Sequence, residues 1–221
     1  IILEDVEAAF YPVNRVPERR CIMAKLGPSE MDFFKFDFRQ IPPKAGRLLI
    51  AQPSLTDPFF KRTVIYLVEH DDEGSMGFIL NRKLAMSLND LLNNFPNVEA
   101  NVSVGGPVGS DTVNFIHTFG STIPNTLDLG NGLYLNGDID AVKALAIAGR
   151  LTRENFRIFI GYSGWGKDQL KREIDEDSWV VANFDSQLMA KGAYDSWYFA
   201  VQQLGSRFKA WTLYPENPAL N

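Results

Sequence analysis

The sequence predicts an α+β domain organised around a mixed β-sheet. Short apolar and β-branched runs outnumber helical periods, and several follow one another in hairpin order rather than in strict strand–helix alternation. The chain has 221 residues, 45% hydrophobic and 22% charged, so a sizeable core forms without disulfide or metal support.

Residues 1–45 read as a poorly ordered or extended leader. Pro12, Pro17, Pro28, Pro42 and Pro43 interrupt every run, and only Phe33 to Phe38 alternates enough for an edge strand. Met23 and Met31 read as alternative start positions. From Gly46 the pattern sharpens. Arg47 to Ala51, Thr63 to Glu69 and Met76 to Leu80 are strand-like, the last two joined by His70-Asp-Asp-Glu-Gly74, a hairpin connection whose glycine suits a tight turn. Pro53 and Pro58 place 52–60 in a loop. Ser87 is a natural N-cap for a helix from Leu88 to Asn93. Val102 to Val104 and Val113 to His117 read as strands around a loop at 105–111, and Leu133 to Leu135 as a short one. Asp138 caps an alanine-rich helix over 139–148. Phe156 to Tyr162 is a buried strand, followed by a strand-to-helix turn at 161–166 and a helix from Trp165 to Ile174. Trp179 to Ala182 returns as a strand. Tyr194, Trp197, Tyr198, Val201 and Leu204 share a helical face that Gly205 ends. The domain thus runs from 46 to 213, with a tail at 214–221.

Charge and cysteine content narrow the function. Residues 1–45 hold seven basic and seven acidic side chains, leaving 15 basic against 20 acidic in the rest. Phosphate contacts supply most of a nucleic-acid binder's affinity, so the acidic balance of the domain argues against nucleic acid as a partner. Cys21 is the single cysteine, which excludes an internal disulfide and suits a reducing compartment. The acidic residues Glu4, Asp5 and Glu7 oppose a signal peptide. No apolar stretch approaches the ~20 residues needed to span a bilayer. The expectation is a soluble, cytoplasmic protein without membrane partners.

Four ordered blocks carry a family resemblance. They are Gly46 to Phe60 with Arg62-Thr63; Glu69-His70 with Gly77-Phe-Ile-Leu-Asn-Arg82; Gly105-Gly-Pro-Val108 with His117; and Gly161-Tyr-Ser-Gly-Trp-Gly166 with Gln169-Leu170 and Trp179. Their order and spacing resemble the AlgH/YqgE family of bacterial proteins from Gly46 to about Leu213. The resemblance implies an α+β fold with a branched sheet, part of it closing into a small barrel-like unit, surrounded by helices. It carries a transcriptional-regulator label but no agreed active site. Ser163 stands where the family usually has Ala, and Val108 to Val113 lacks a basic residue often found there.

Several constellations invite chemistry. Ser163 at a strand-to-helix turn suggests a nucleophile elbow, but Trp165 occupies the place where the elbow needs glycine. Gly164 and Gly166 at a helix start, and Gly105, Gly106 and Gly109, offer backbone amides for an anion; neither order matches a P-loop or a dinucleotide fingerprint. His70, Asp71, Asp72 and His117 hold metal-ligand types without ligand spacing, so no metal is expected. Asp57, Arg62, His70, Asn81 and Arg82 lie at the ends of neighbouring strands, where His can shuttle protons and Arg can clamp a carboxylate or phosphate. The competing expectation is structural, with Asp57 and Arg62 paired across a loop. Trp165, Trp179 and Trp197 read mainly as core, and Trp211, beside the Pro-containing tail, as a contact surface.

The sequence therefore points to a non-enzymatic regulatory or binding protein without cofactor or catalytic residues. Its polar pocket, drawn from Asp57, Arg62, His70, Asn81, Arg82, Gly105, Gly106, Pro107, Gly164, Trp165 and Gly166, would hold a small anionic ligand or a segment of a protein partner. The alternatives are a hydrolase or transferase acting on a phosphorylated small molecule, with His70 or His117 as base, and a transcriptional regulator acting through protein contacts or weak DNA binding.

Overall fold

Both faces of the central strands are apolar, so the chain must cover the sheet on both sides. The computed structural model describes residues 41–86, 88–91, 95–96, 98, 100–190 and 193–214. The expected Phe33–Phe38 strand, the Ser87 cap, the end of its helix near Asn93 and the tail beyond Tyr214 lie outside the described residues. Ile41, within the expected leader, packs against core residues of the domain.

Among the described residues nine strands form one sheet: β1 (Arg47–Ala51), β2 (Val64–His70), β3 (Gly74–Ile79), β4 (Asn101–Val104), β5 (Val108–His117), β6 (Leu127–Gly130), β7 (Leu133–Leu135), β8 (Phe156–Gly166) and β9 (Trp179–Asn183). The order is β6-β7-β5-β8-β3-β2-β1-β9, with β4 branching from β8. All pairings are antiparallel except β4 with β8. The architecture is α+β: a mixed, branched sheet curled into a half-barrel, with helices around it.

Burial follows strand alternation. Leu48, Ile50, Val64, Tyr66, Phe78, Ile116 and Phe159 line the inside of the curl. Helices α5 (Ala193–Gln203) and α6 (Lys209–Leu213) fill it with Trp197, Val201 and Trp211. The alternate residues Leu49, Ala51, Ile65, Leu67 and Ile79 face outward, covered by Phe60, Trp165, Trp179 and helix α3 (Gln169–Asp175). A third cluster joins Val102, Phe115, Phe156, Ile158 and Ile160 to α1 (Leu88–Leu91) and α2 (Ile139–Ile147). Asp138 caps α2 by accepting the Ala141 N–H at 2.8 Å. Asn131 Nδ2 donates to the Gly46 carbonyl at 3.1 Å and ties the β6–β7 turn to the start of β1.

The branch forms where the chain crosses β8. β4 runs beside Arg157–Ile160 on one side, and β5 begins at Val108 opposite Tyr162 on the other. Residues 105–107 make the crossing. A Cβ on Gly105 would lie 2.2 Å from the Gly161 carbonyl oxygen, and one on Gly106 2.2 Å from Tyr162 C and O. Both neighbours are backbone, so neither can yield cheaply. Gly161 itself has φ +66°, and a Cβ there would meet the Val108 oxygen at 2.7 Å.

Arg157 fills the fork. Its side chain is 2% exposed and donates to the carbonyls of Leu80 at 2.5 Å and Leu188 at 3.2 Å, and more weakly to Ser103 Oγ at 3.4 Å. Leu188 belongs to the short helix α4 (Gln187–Ala190). Burial alone lowers the Arg157 pKa to about 10, as expected for a cation removed from water.

The structure corrects several expectations. β8 continues through Gly166, so residues 161–166 are strand, and α3 starts only at Gln169. Gly164, Trp165 and Gly166 pair with Met76, Ser75 and Gly74 of β3. Trp211 is 3% exposed and packs on Phe208 at 5.0 Å, so it is core rather than a contact surface. β6, α4 and α6 had no counterpart in the sequence reading. Among the described residues no helix is long and apolar enough to cross a membrane.

The crossing makes a direct prediction. Gly106→Ala must push two backbones apart and should cost about 3 kcal/mol or more. Gly130→Ala, at φ +74° with nothing within 4 Å of its Cβ, should cost only about 1–2 kcal/mol. Urea denaturation of both variants checks this; equal losses would mean that the crossing tolerates a side chain.

Candidate functional site

The predicted site residues divide between the two ends of β2. Arg62 lies two positions before its first residue and His70 is its last. Eight residues of extended chain span roughly 26 Å, so one small pocket cannot contain both.

At the first end, Asp57, Arg62, Asn81 and Arg82 build a braced corner. Asp57 Oδ1 accepts the N–H groups of Phe59 at 2.8 Å and Phe60 at 3.2 Å, fixing a turn that the Lys61 N–H closes on the Asp57 carbonyl at 2.8 Å. The expected Asp57–Arg62 ion pair is replaced by this local turn, because an aspartate beside its own backbone amides needs no ordering of a distant side chain. Arg62 ends the turn at φ +51°, a left-handed backbone that a long side chain rarely adopts. Asn81 holds it there: Nδ2 donates to the Arg62 carbonyl at 2.7 Å, and Oδ1 accepts the Val64 N–H at 2.9 Å. Arg82 donates to the Lys61 carbonyl at 2.6 Å, and burial lowers its pKa.

The Arg62 side chain then turns inward and is 8% exposed. Its guanidinium lies 4.9 Å from the Trp197 ring centre and 5.5 Å from that of Tyr198, within cation–π range. One terminal nitrogen donates to the Tyr198 hydroxyl at 2.5 Å. The other donates to the main-chain carbonyl of Tyr214. Neither tyrosine was visible as a partner in the sequence, where they stand 136 and 152 positions away.

At the other end, His70 Nδ1 lies 2.7 Å from Ser75 Oγ, and Ser75 pairs with Trp165 of β8. The Trp165 and Trp179 indoles both donate to Glu173 Oε2 at 2.8 Å, while Gln169 Nε2 donates to Oε1 at 2.9 Å. Trp165 and Trp179 reach back to the first end, where Phe60 stacks on Trp165 and meets Trp179 edge-on, with centroids 6.2 and 5.6 Å apart. Sequence reasoning missed Glu173. Two buried indoles each need an acceptor, and the Gln169/Glu173 spacing of four on one helix was the available signal. Asp71 caps its own hairpin by accepting the N–H groups of Glu73 and Gly74. Among the described residues no three His, Cys, Asp or Glu side chains converge as a metal would require.

The glycine sites serve the backbone. The Gly105 N–H donates to the Ile160 carbonyl, and its own carbonyl accepts the Ile79 N–H and the Ser163 hydroxyl. Pro107 has no N–H, and both backbone groups of Gly105 are engaged in strand pairing and in the Ser163 contact. Ser163 is fully buried in mid-strand, with no elbow to expose its Oγ. A cavity of about 20 Å³, lined by Leu88, Phe95, Phe115, Val142, Phe156 and Ile158 among others, has room for about one water molecule and lies away from Arg62.

His117 is a satisfied core histidine. It is fully buried. Nδ1 accepts the Phe119 N–H at 3.2 Å, which places the proton on Nε2, 3.0 Å from both the Asn136 carbonyl and Thr126 Oγ1. Burial lowers its pKa below 6.5, partly countered by the Asn136 bond. Below pH 6.5 the unfolded chain therefore binds a proton that the folded one resists. Stability is full above pH 6.5 and should fall as pH drops toward the lowered folded value, by at most about 1.4 kcal/mol per pH unit for this one proton. Urea melts from pH 8 to pH 5 should show this loss reduced in His117→Asn; an unchanged slope would remove His117 as its source.

A family model described as AlgH-like, DUF179, matches residues 48–209. UPF0301 protein BF2109 of Bacteroides fragilis is 41% identical over 192 residues, covering 86% of this chain and 97% of that protein. A UPF0301 protein of Bacteroides thetaiotaomicron is 36% identical over 195 residues, covering 87% and 98%. The solution structure of the AlgH protein from Pseudomonas aeruginosa superposes with a TM-score of 0.63 at 30% identity, covering 79% of this chain and 97% of that one. The crystal structure of protein DIP2367 from Corynebacterium diphtheriae gives 0.68 at 21% identity, covering 79% and 94%, a likeness of fold.

Proposed function

The chain belongs to the AlgH-like family, and we propose that it acts by binding, holding a small anionic ligand or an anionic segment of a partner at Arg62. The observation that carries this reading is the left-handed backbone of Arg62 at φ +51°. Backbone strain of this kind costs about 1–3 kcal/mol and persists only where surrounding contacts enforce it, commonly at ligand sites. Asn81 and Arg82 supply that enforcement through the carbonyls of residues 62 and 61. The product is a planar cation set against Trp197 and Tyr198, with the fork geometry that suits a carboxylate or phosphate. Regulation through protein contacts is compatible with such a site, whereas the acidic balance of the domain opposes a DNA-binding role.

A thermal-shift titration with inorganic phosphate and with succinate tests it. The wild-type midpoint should rise with at least one anion. Arg62→Lys keeps the charge but loses the fork, and should weaken binding by about 10- to 100-fold, the worth of one charge-assisted contact of 1.5–3 kcal/mol. Identical titrations of the two proteins would dismiss the reading.

One contact favours a second reading, a hydrolase or transferase acting on a phosphorylated small molecule. His70 Nδ1 and Ser75 Oγ are 2.7 Å apart, the separation of a base and the hydroxyl it would activate. On that reading His70→Ala loses turnover of phosphorylated substrates while ligand binding persists. Turnover unaffected by the substitution would leave the contact a hairpin brace.

A further inference from the structure

We propose that Asn131-Gly132, the tip of the β6–β7 hairpin, is a site of spontaneous modification. Loss of ammonia there converts Asn131 to aspartate and isoaspartate and frees the tip from the start of β1. The inference is independent of the Arg62 reading.

The chemistry needs an asparagine amide and a following backbone nitrogen that can reach it. The Gly132 nitrogen attacks Asn131 Cγ. A C–N bond forms, the Cγ–Nδ2 bond breaks, and the Gly132 proton leaves with the amide nitrogen as ammonia. Water then opens the cyclic imide at either carbonyl. Opening at Cγ leaves aspartate, and opening at the main-chain carbon leaves isoaspartate, with the chain rerouted through the side chain. Water is the one co-reactant, and nothing is oxidised or reduced.

The sequence holds two Asn-Gly pairs, 131–132 and 136–137, and the fold treats them oppositely. Asn131 and Gly132 are exposed and form a two-residue turn between the paired Gly130 and Leu133, at φ +56° and +73°, as Asn-Gly hairpin turns require. A Cβ on Gly132 would meet nothing within 4 Å, so a ring can close without displacing a neighbour. The Gly132 N–H takes no backbone hydrogen bond among the described residues. Asn136 is clamped instead. Its Oδ1 accepts the Phe115 N–H and its Nδ2 donates to Asn114 Oδ1, both at 2.9 Å. A Cβ on Gly137 would lie 2.6 Å from Ile123 Cγ2 and 2.8 Å from the Pro124 oxygen.

The product differs in the one property the contact uses. Asn131 Nδ2 donates to the Gly46 carbonyl at 3.1 Å, whereas an ionised carboxylate only accepts. Acceptor then faces acceptor, and the tie between the hairpin tip and β1 is lost. The Gly46 N–H, bonded to the Leu67 carbonyl at 2.8 Å, reports that loss through its exchange with solvent.

The test incubates the full chain at mildly alkaline pH and follows residues 131 and 136 separately by peptide mass spectrometry. Isoaspartate is confirmed by methyl transfer from S-adenosylmethionine with an isoaspartyl-specific methyltransferase. Residue 131 should convert at least about tenfold faster than residue 136, the factor that one more hydrogen bond gives a local opening equilibrium. Equal rates, faster conversion at 136, or conversion of 131 only in the denatured chain overturns the site. Asn131→Asp, which installs one product directly, should speed hydrogen exchange at Gly46 by about tenfold for the same reason. Unchanged exchange overturns the release, and would mean that the Tyr66 hydroxyl, on the same side of Gly46, holds the carboxylate in place.

Discussion

The fold depends on one close backbone crossing. Residues 105–107 pass over β8 at Gly161–Tyr162, carrying the chain from β4 on one side of that strand to β5 on the other. β8 thereby gains neighbours on both sides in its first half, and β3 can take its second half without competing with β4. Every later feature follows from that fork: two curled regions share a strand, three apolar clusters form rather than one, and strand ends are brought to opposite rims. The requirement is steric. The two backbones approach so closely that a single methyl group at Gly105 or Gly106 would overlap main-chain atoms.

A forked sheet leaves backbone groups that neither branch can satisfy, and Arg157 answers that cost. The Leu80 carbonyl lies just beyond β3, where that strand has parted from β8, and Arg157 supplies the donor that a neighbouring strand would otherwise have given. It reaches Leu188 as well, so α4 is tied to the same point. A buried cation is expensive, and its lowered pKa expresses that expense. Two carbonyls left without donors in an apolar interior would cost a comparable amount, about 1–3 kcal/mol each. The two terminal nitrogens of Arg157 together fix the relative placement of β3, β4 and α4, while the buried Nε has no hydrogen-bond partner.

What was legible in the sequence was whatever local pattern decides. Strands buried on both faces appear as unbroken apolar runs, which is why Arg47 to Ala51 and the start of β8 were readable, and Asp138 announced α2 through its own cap. Several of the misreadings come from contact at long sequence separation. Glycines at 161, 164 and 166 have the composition of a turn, but here they permit close strand passage and pairing, the other recognised use of glycine in a sheet. β6 has four residues with Leu127 half exposed, too little apolar pattern to stand out. Asp57 and Arg62 looked like a pair because both were in view. Their actual partners were the backbone next door and two tyrosines near the far end of the chain.

The same limit explains why the candidate site was half found. Proximity in sequence grouped Arg62 with His70, but a strand between two residues keeps them apart as surely as a helix face brings others together. Residues at the two ends of β2 can act on one ligand only if that ligand spans the sheet. What Arg62 does share is a corner assembled from four separate stretches: its own turn, Asn81–Arg82 just beyond β3, α5 at Trp197–Tyr198, and the turn after α6 at Tyr214. The last of these meets the guanidinium at a main-chain carbonyl. A corner drawn from four stretches so far apart exists only once the chain has folded, so no local run of residues displays it.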